Sequence, residues 1–184
     1  MADKEIEIKV QIERAGKLRE LLAKDAEFTG ESRQIDEYYS PPDRDFLAER
    51  PVREWLRLRS EGDRASLNYK NWHIKPDGTS DWCDERETPL GDVAAARKIF
   101  EALGFKLLVT VDKTRRTWRY RDYEIALDTV AGLGDHVELE WKGADGDPET
   151  ITKEMLGFLR DLDCGELTRD FRGYPFRLLF PDEK

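Results

Sequence analysis

Two glutamates and a lysine alternate with isoleucines in Glu5-Ile6-Glu7-Ile8-Lys9, and the same order returns in Glu138-Leu139-Glu140-Trp141-Lys142. Charged and apolar residues at a period of two read as an extended strand, with the charges of each run on one face and second neighbours ~6.6 to 6.8 Å apart. Carboxylates in such sets are the donors a hard divalent cation takes, together with the oxygens of a phosphate chain. Other alternating runs supply the opposite charge: Arg57 and Arg59 against Leu56 and Leu58, Lys70 with Asn68 against Leu67 and Tyr69, then Lys113 and Arg115. Guanidinium and ammonium groups are ordinary partners of phosphate oxygens. Glu85, Glu87 and Asp128 complete the charged strand positions.

Singly, each of these charges is what a solvated strand face shows. Together they argue for convergence. Two carboxylates ~4 Å apart repel by about 4 kcal/mol at an effective dielectric near 20. Clustering Glu5, Glu7, Asp128, Glu138 and Glu140 therefore calls for a cation, and Mg²⁺ or Mn²⁺ suits such oxygens. If the sheet curls into a barrel, the carboxylates and the cationic side chains face one interior and match a metal-bound polyphosphate. The repeated Glu-apolar-Glu-apolar-Lys order, each time followed by an amphipathic helix, suggests two related halves that set equivalent carboxylate pairs across the cavity.

The elements that must position these residues follow from periodicity. Strands are expected over 4–12, 35–39 (stopped by Pro41 and Pro42), 55–60, 65–70, 83–88, 107–120, 123–130 and 137–142. Helices are expected over 15–26, with Leu18, Leu21 and Leu22 inward, and after Asp92, with Val93, Ala96, Ile99, Phe100 and Leu103 on one face and Gly104 as the stop. A third spans 148–163, with Pro148 in its first turn and Ile151, Met155, Phe158, Leu159 and Leu162 on one face. The charged stretch 43–50 reads as a mobile loop or a lid over a cavity mouth. The 184 residues fit a single domain, 1–184, of class α+β.

Composition sets limits. The charged fraction of 39% is high, yet 10% aromatic content and several apolar runs argue against disorder. A net charge of −9 disfavours nucleic-acid binding through a broad basic surface. No apolar run approaches the ~18 residues that span a bilayer, and nothing resembles a leader, so a cytoplasmic protein without membrane insertion is expected. Cys83 and Cys164 lack metal-ligand spacing and read as reduced thiols. His73 and His136 form no ligand pair, and the five tryptophans read as packing rather than as base-stacking platforms.

The ordered set of motifs resembles the CYTH, or triphosphate tunnel metalloenzyme, family, which includes class IV adenylyl cyclases, thiamine triphosphatases and inorganic triphosphatases. Glu5-Ile6-Glu7-Ile8-Lys9 resembles the family's ExExK signature. Gln34-Ile35-Asp36-Glu37-Tyr38-Tyr39 with Pro41 looks like the segment after its first helix. Leu56-Arg57-Leu58-Arg59 and Lys70 resemble its phosphate-binding strands, and Lys113 with Arg115 its KxR element. Asp128, Gly132-Leu133-Gly134 and Glu138-Leu139-Glu140 resemble its closing metal strands, and Arg172-Gly173-Tyr174 its C-terminal tail. Two departures stand out: Cys83-Asp84 precedes Glu85 and Glu87 where the family usually has an arginine, and His136 replaces an aromatic or aliphatic residue.

The resemblance implies a closed eight-stranded antiparallel β-barrel, open at its ends, with helices packed outside. It implies that Glu5, Glu7, Asp128, Glu138 and Glu140 hold Mg²⁺ or Mn²⁺, with Glu85 and Glu87 as further acidic candidates. Lys9, Arg57, Arg59, Lys70, Lys113 and Arg115 would hold a small-molecule triphosphate, and Lys9, Arg57, Lys113 and Asp128 would act in catalysis. A homodimer is compatible with the family. The residues 38–46 and the Gly132-Leu133-Gly134 turn look most like the cyclase branch, which makes cyclic AMP and pyrophosphate from ATP. Hydrolysis of tripolyphosphate or thiamine triphosphate is the alternative, and a non-catalytic polyphosphate or nucleotide binder the third.

Overall fold

The computed structural model describes residues 3–80, 82–144 and 146–183. In chain order the elements are β1 (Asp3–Gln11), α1 (Gly16–Asp25), β2 (Glu27–Ser40), β3 (Glu54–Glu61), β4 (Arg64–Trp72), β5 (Trp82–Leu90) and α2 (Val93–Ala102). They continue as β6 (Lys106–Tyr120), β7 (Tyr123–Val130), β8 (Gly134–Trp141), α3 (Pro148–Asp161), β9 (Thr168–Arg169) and α4 (Gly173–Leu179). Antiparallel neighbours follow the order β5-β4-β3-β2-β6-β7-β8-β1, and β1 returns to β5 by pairing Asp3 to Ile6 with Glu85 to Trp82. Eight strands therefore close into a barrel, which removes the unpaired edges an open sheet would expose. The two residues of β9 add to the end of β1, opposite Val10 and Gln11. Among the described residues no helix is long and apolar enough to cross a membrane.

The period-two pattern decides what each strand face meets. Ile6, Ile8 and Val10 turn outward, each no more than 4% exposed, and pack with Leu18 and Leu22 of α1, Ile151, Met155 and Leu159 of α3, and Val137 and Leu139 of β8. Burying one such side chain contributes about 1.5 to 3 kcal/mol, so this layer fixes which face of β1 looks inward. Helix starts match their capping chemistry: Asp92 accepts from the Ala95 amide and Asp147 from the Thr150 amide, both at 2.9 Å. Gly104, at φ +78°, takes the left-handed conformation that ends α2. The expected apolar face of α2 is only partly used. Phe100 meets Tyr39 edge-on and stacks on Phe105, but Ile99 and Leu103 stay 57% and 60% exposed.

The barrel is not open at both ends. Residues paired directly across an antiparallel ladder share a face, so Val111 opposite Asp36 and Val130 opposite Lys113 point inward with Tyr38 and Trp55. These four, with Val52, meet Tyr174 and Phe176 of α4 in a second buried apolar cluster at one end of the barrel. The 43–50 stretch belongs to this closure and is not a free loop. Phe46 is 7% exposed, the Ser40 hydroxyl donates to the Arg44 carbonyl, and the Arg50 guanidinium lies 4.2 Å from the Phe180 ring centroid. His136 sits here as well, buried against the edge of Tyr174 and accepting a 2.8 Å hydrogen bond from Arg177. Burial holds its imidazole below the usual range, consistent with a neutral ring in that contact.

Candidate active site

The inward positions of the barrel converge on one cavity of about 300 Å³. Glu5, Glu7 and Lys9 of β1, Arg57 and Arg59 of β3, Lys70 of β4, and Glu85 and Glu87 of β5 line it. Lys113 and Arg115 of β6 and Glu138 and Glu140 of β8 complete the set. Register explains the convergence: Glu7 pairs with Glu140, Lys9 with Glu138, Lys70 with Glu85, and the inward face is continuous around the wall. The two Glu-apolar-Glu segments are therefore adjacent antiparallel strands and not opposite walls. The expectation that they face each other across the cavity is corrected by this pairing, which sequence alone does not encode.

Asp128 stands apart. It lies beside Arg115 in the ladder, but its side chain is completely buried and does not line the cavity. Lys113 Nζ donates to it at 2.9 Å, Arg115 through Nε and Nη2 at 2.7 and 2.6 Å, and the Tyr174 hydroxyl at 3.1 Å. Burial alone would raise its proton affinity, but Arg115 and Lys113 reverse this and hold the carboxylate ionised.

A cationic wall surrounds it. Asp36 of β2, 1% exposed, accepts a bidentate pair from Arg59 at 2.6 and 2.7 Å, and Arg57 Nη1 lies 3.6 Å away. Despite burial, those guanidinium groups keep Asp36 far below the usual carboxylate range. Arg57 Nε remains buried without a hydrogen-bond partner, a donor pre-positioned for an acceptor. Glu138 is shared by Lys9, at 2.9 Å, and Arg115, and these cations outweigh burial and hold it well below the usual range. Lys113, at only 3% exposure, is lowered to about 8 because burial and Arg115 outweigh Glu138 and Asp128. Asp128 thus serves Arg115 first, and Lys113 keeps the most weakly held proton of this wall.

The other wall is acidic. One ammonium, Lys70 Nζ, serves three carboxylates: Glu5 at 2.5 Å, Glu7 at 3.5 Å and Glu85 at 3.7 Å. Asn68, 2% exposed, donates to Glu85 and Glu87 at 2.5 and 2.9 Å, and the Cys83 thiol donates to Glu5. Glu140 is raised to about 7 by burial and by Glu5, against the nearby Lys142. Glu7 is raised as well, by burial first and then by Glu5, against Lys70. Among the described residues no three Asp, Glu, His or Cys side chains stand ready-closed as a metal shell. The donor chemistry nonetheless fits a hard divalent cation: Glu5, Glu7 and Glu85 bring carboxylate oxygens around the single ammonium of Lys70, and Glu140 stands beside Glu7 in the ladder.

Several lining residues escaped the sequence reading. Asp36, Asn68, Tyr38, Trp55, Trp72, Tyr174 and the segment 169–172 all line the cavity. Asn68 was detectable, since it is two residues from Lys70 on the same face. Asp36 sits in Ile35-Asp36-Glu37-Tyr38, where no clean alternation separates inside from outside.

A closed antiparallel barrel thus gathers carboxylates and cationic side chains around one cavity. A family model for the CYTH domain matches residues 3–174, and the chain belongs to that family. A Methanocaldococcus jannaschii protein named "Putative adenylate cyclase" is 35% identical over 164 residues, covering 88% of this chain and 91% of that protein. A solved structure from Pyrococcus horikoshii superposes with a TM-score of 0.79 at 27% identity, covering 96% of this chain and 99% of the other. A Hippeastrum protein, reported under an adenylyl cyclase name to have a dominant triphosphatase activity, shares the fold with a TM-score of 0.64 at 17% identity, covering 98% and 96%.

Proposed function

We propose that this cavity binds a triphosphate together with Mg²⁺ or Mn²⁺ and that the protein is a class IV adenylyl cyclase-like enzyme converting ATP to cyclic AMP and pyrophosphate. The observation that carries the reading is the division of one cavity into a wall short of positive charge and a wall rich in it. Glu5, Glu7 and Glu140 would hold the metal, with Glu138 at the border between walls and Glu85 beside Lys70. When bound, the cation would neutralise carboxylate and phosphate charge and polarise the phosphoryl group.

The chain's own side chains do the positioning. Arg57, Arg59 and Arg115 present guanidinium donors to phosphate oxygens, while Asp36 and Asp128 hold them in place from behind. As placed, Asp128 can join a metal shell only after Arg115 leaves it. Lys9 and Lys70 are ammonium groups already bound to carboxylates, and phosphate oxygens would share them. Lys113, lowered to about 8, is charged at neutral pH and is the cation here that most readily gives up a proton. Cyclisation forms a bond from the ribose 3'-oxygen to the α-phosphorus, breaks the bond to the bridging oxygen, releases pyrophosphate and frees the hydroxyl proton. Preorganised cations facing the developing negative charge are the main catalytic contribution such a site offers.

The test is purified protein with Mg²⁺ or Mn²⁺ and, in parallel, ATP, thiamine triphosphate or tripolyphosphate, with cyclic AMP, pyrophosphate and orthophosphate measured separately. Cyclic AMP with pyrophosphate is the expected result. Orthophosphate from tripolyphosphate without cyclic AMP would replace the cyclase reading with triphosphatase, and binding without any product would leave a non-catalytic triphosphate binder.

A further inference from the structure

Triphosphate chemistry does not use every group that lines the cavity. Beside Lys9 the chain crosses the wall as Arg169-Asp170-Phe171-Arg172, and all four residues line the cavity. The Asp170 amide donates to the Lys9 carbonyl at 2.8 Å, which fixes this segment to the strand carrying the phosphate-binding lysine. Phe171 is 41% exposed, with the Arg169 guanidinium 4.2 Å from its ring centroid. Exposure of one phenylalanine is ordinary. Its neighbour makes it informative.

Asp170 uses only one oxygen for structure: Oδ1 accepts from the amides of Arg172 and Gly173, both at 3.1 Å. Its Oδ2 is buried with no hydrogen-bond partner. A buried carboxylate oxygen without a donor is uncommon and calls for an explanation. An ionised triphosphate cannot supply one, because its oxygens are acceptors and would be repelled. A divalent cation is disfavoured beside Lys9, Arg169 and Arg172, and a cationic organic group such as a thiazolium is disfavoured for the same reason. A neutral hydroxyl or N–H donor fits. The other aromatic side chains of the cavity are already committed, Trp55 to an edge contact with Tyr38 and Trp72 to the apolar cluster that closes the barrel end.

We propose that Phe171 and Asp170 form a nucleoside subsite: a planar base stacks on the ring of Phe171, and an N–H or O–H of the nucleoside donates to Asp170 Oδ2. The assignment rests on the triphosphate reading and deepens it, because it makes the substrate a nucleoside triphosphate. Stacking of a base on an aromatic side chain is an adequate anchor for an otherwise featureless phosphate site. The Arg169 guanidinium adds a cation over the same ring system.

The test is calorimetric binding, with Mg²⁺, of two ligands that cannot be turned over: ATP and bare triphosphate, each with methylene bridges in place of both anhydride oxygens. Phe171→Ala should weaken the ATP analogue about tenfold, which is about 1.4 kcal/mol, and leave the bare triphosphate within twofold. Phe171→Trp should restore the difference. Asp170→Asn keeps an oxygen for the Arg172 and Gly173 amides but puts an NH₂ where the free oxygen stood. It should weaken the ATP analogue several-fold and spare the bare triphosphate. Equal losses for both ligands, or none for either, would overturn the subsite. Wild-type protein that binds only the bare triphosphate would overturn the subsite and leave the triphosphate reading standing; wild-type protein that binds neither would overturn both.

Discussion

The two walls of the cavity are built from the same residue types and reach opposite electrostatic states. On the cationic wall every carboxylate is outnumbered: Asp36 between Arg57 and Arg59, Asp128 among Lys113, Arg115 and Tyr174, Glu138 between Lys9 and Arg115. All three are held below the usual carboxylate range. On the acidic wall Lys70 is divided among Glu5, Glu7 and Glu85, and Glu7 and Glu140 are raised. A buried ion pair alone is weak support for a fold. Under the proposed function the asymmetry would prepare the cavity for its ligands, a cation on one wall and a phosphate chain on the other.

The comparison can be broken most severely at Asp36. Asp36→Ala leaves two buried guanidinium groups without their shared carboxylate and should lower unfolding stability by about 3 to 5 kcal/mol, read from denaturant midpoints; a loss below 1 kcal/mol would show that the arginines do not depend on it. Glu138→Gln, at the border between the walls, should reduce metal-dependent turnover by about a hundredfold while retaining the fold, as checked by thermal melting. Unchanged turnover would remove Glu138 from the metal assignment.

The acidic wall offers a pH test. Glu140 is raised from an ordinary carboxyl to about 7, so between about 4.5 and 7 the folded state binds more proton than the unfolded one. With chelator present, stability should fall as pH rises through that window by about 2 kcal/mol, after allowing for partial exposure. Glu140→Gln should flatten the slope in thermal melts at stepped pH. The smallest effect belongs to Lys113, lowered to about 8. Its positive charge is present below that pH and lost above it, so triphosphate affinity should fall about fivefold from pH 7 to 9, the value of roughly 1 kcal/mol for one charge pair in a well-hydrated setting. Lys113→Arg should remove that dependence in equilibrium titrations.

Much of this was legible in the chain. The alternation around Glu5, Arg57, Lys70, Lys113 and Glu138 identified both the strands and the residues that meet in the cavity, because a closed barrel sends every second residue inward. What periodicity cannot supply is register, and so the adjacency of β1 and β8 was invisible. Nor does it distinguish an apolar side chain that meets a helix outside from one that seals the barrel within. Tyr38, Trp55, Val111 and Val130 are of the second kind. Asp128 looked like the other carboxylates because its burial behind Arg115 depends on Tyr174, a residue far along the chain. The short β9 and α4 lack enough turns or alternations to show a period.

The route by which β1 joins its neighbours also has a temporal meaning. Glu7 meets Glu140 and Gln11 meets His136, while Asp3 to Ile6 wait for Trp82 to Glu85. β1 is thus made before either of its partners and is fully paired only once β5 and then β8 have followed it. Contacts so distant in sequence slow folding and leave unpaired strand exposed in the meantime. The alternating charges of Glu5, Glu7 and Lys9, read above as a binding surface, would also keep that waiting segment from pairing with copies of itself.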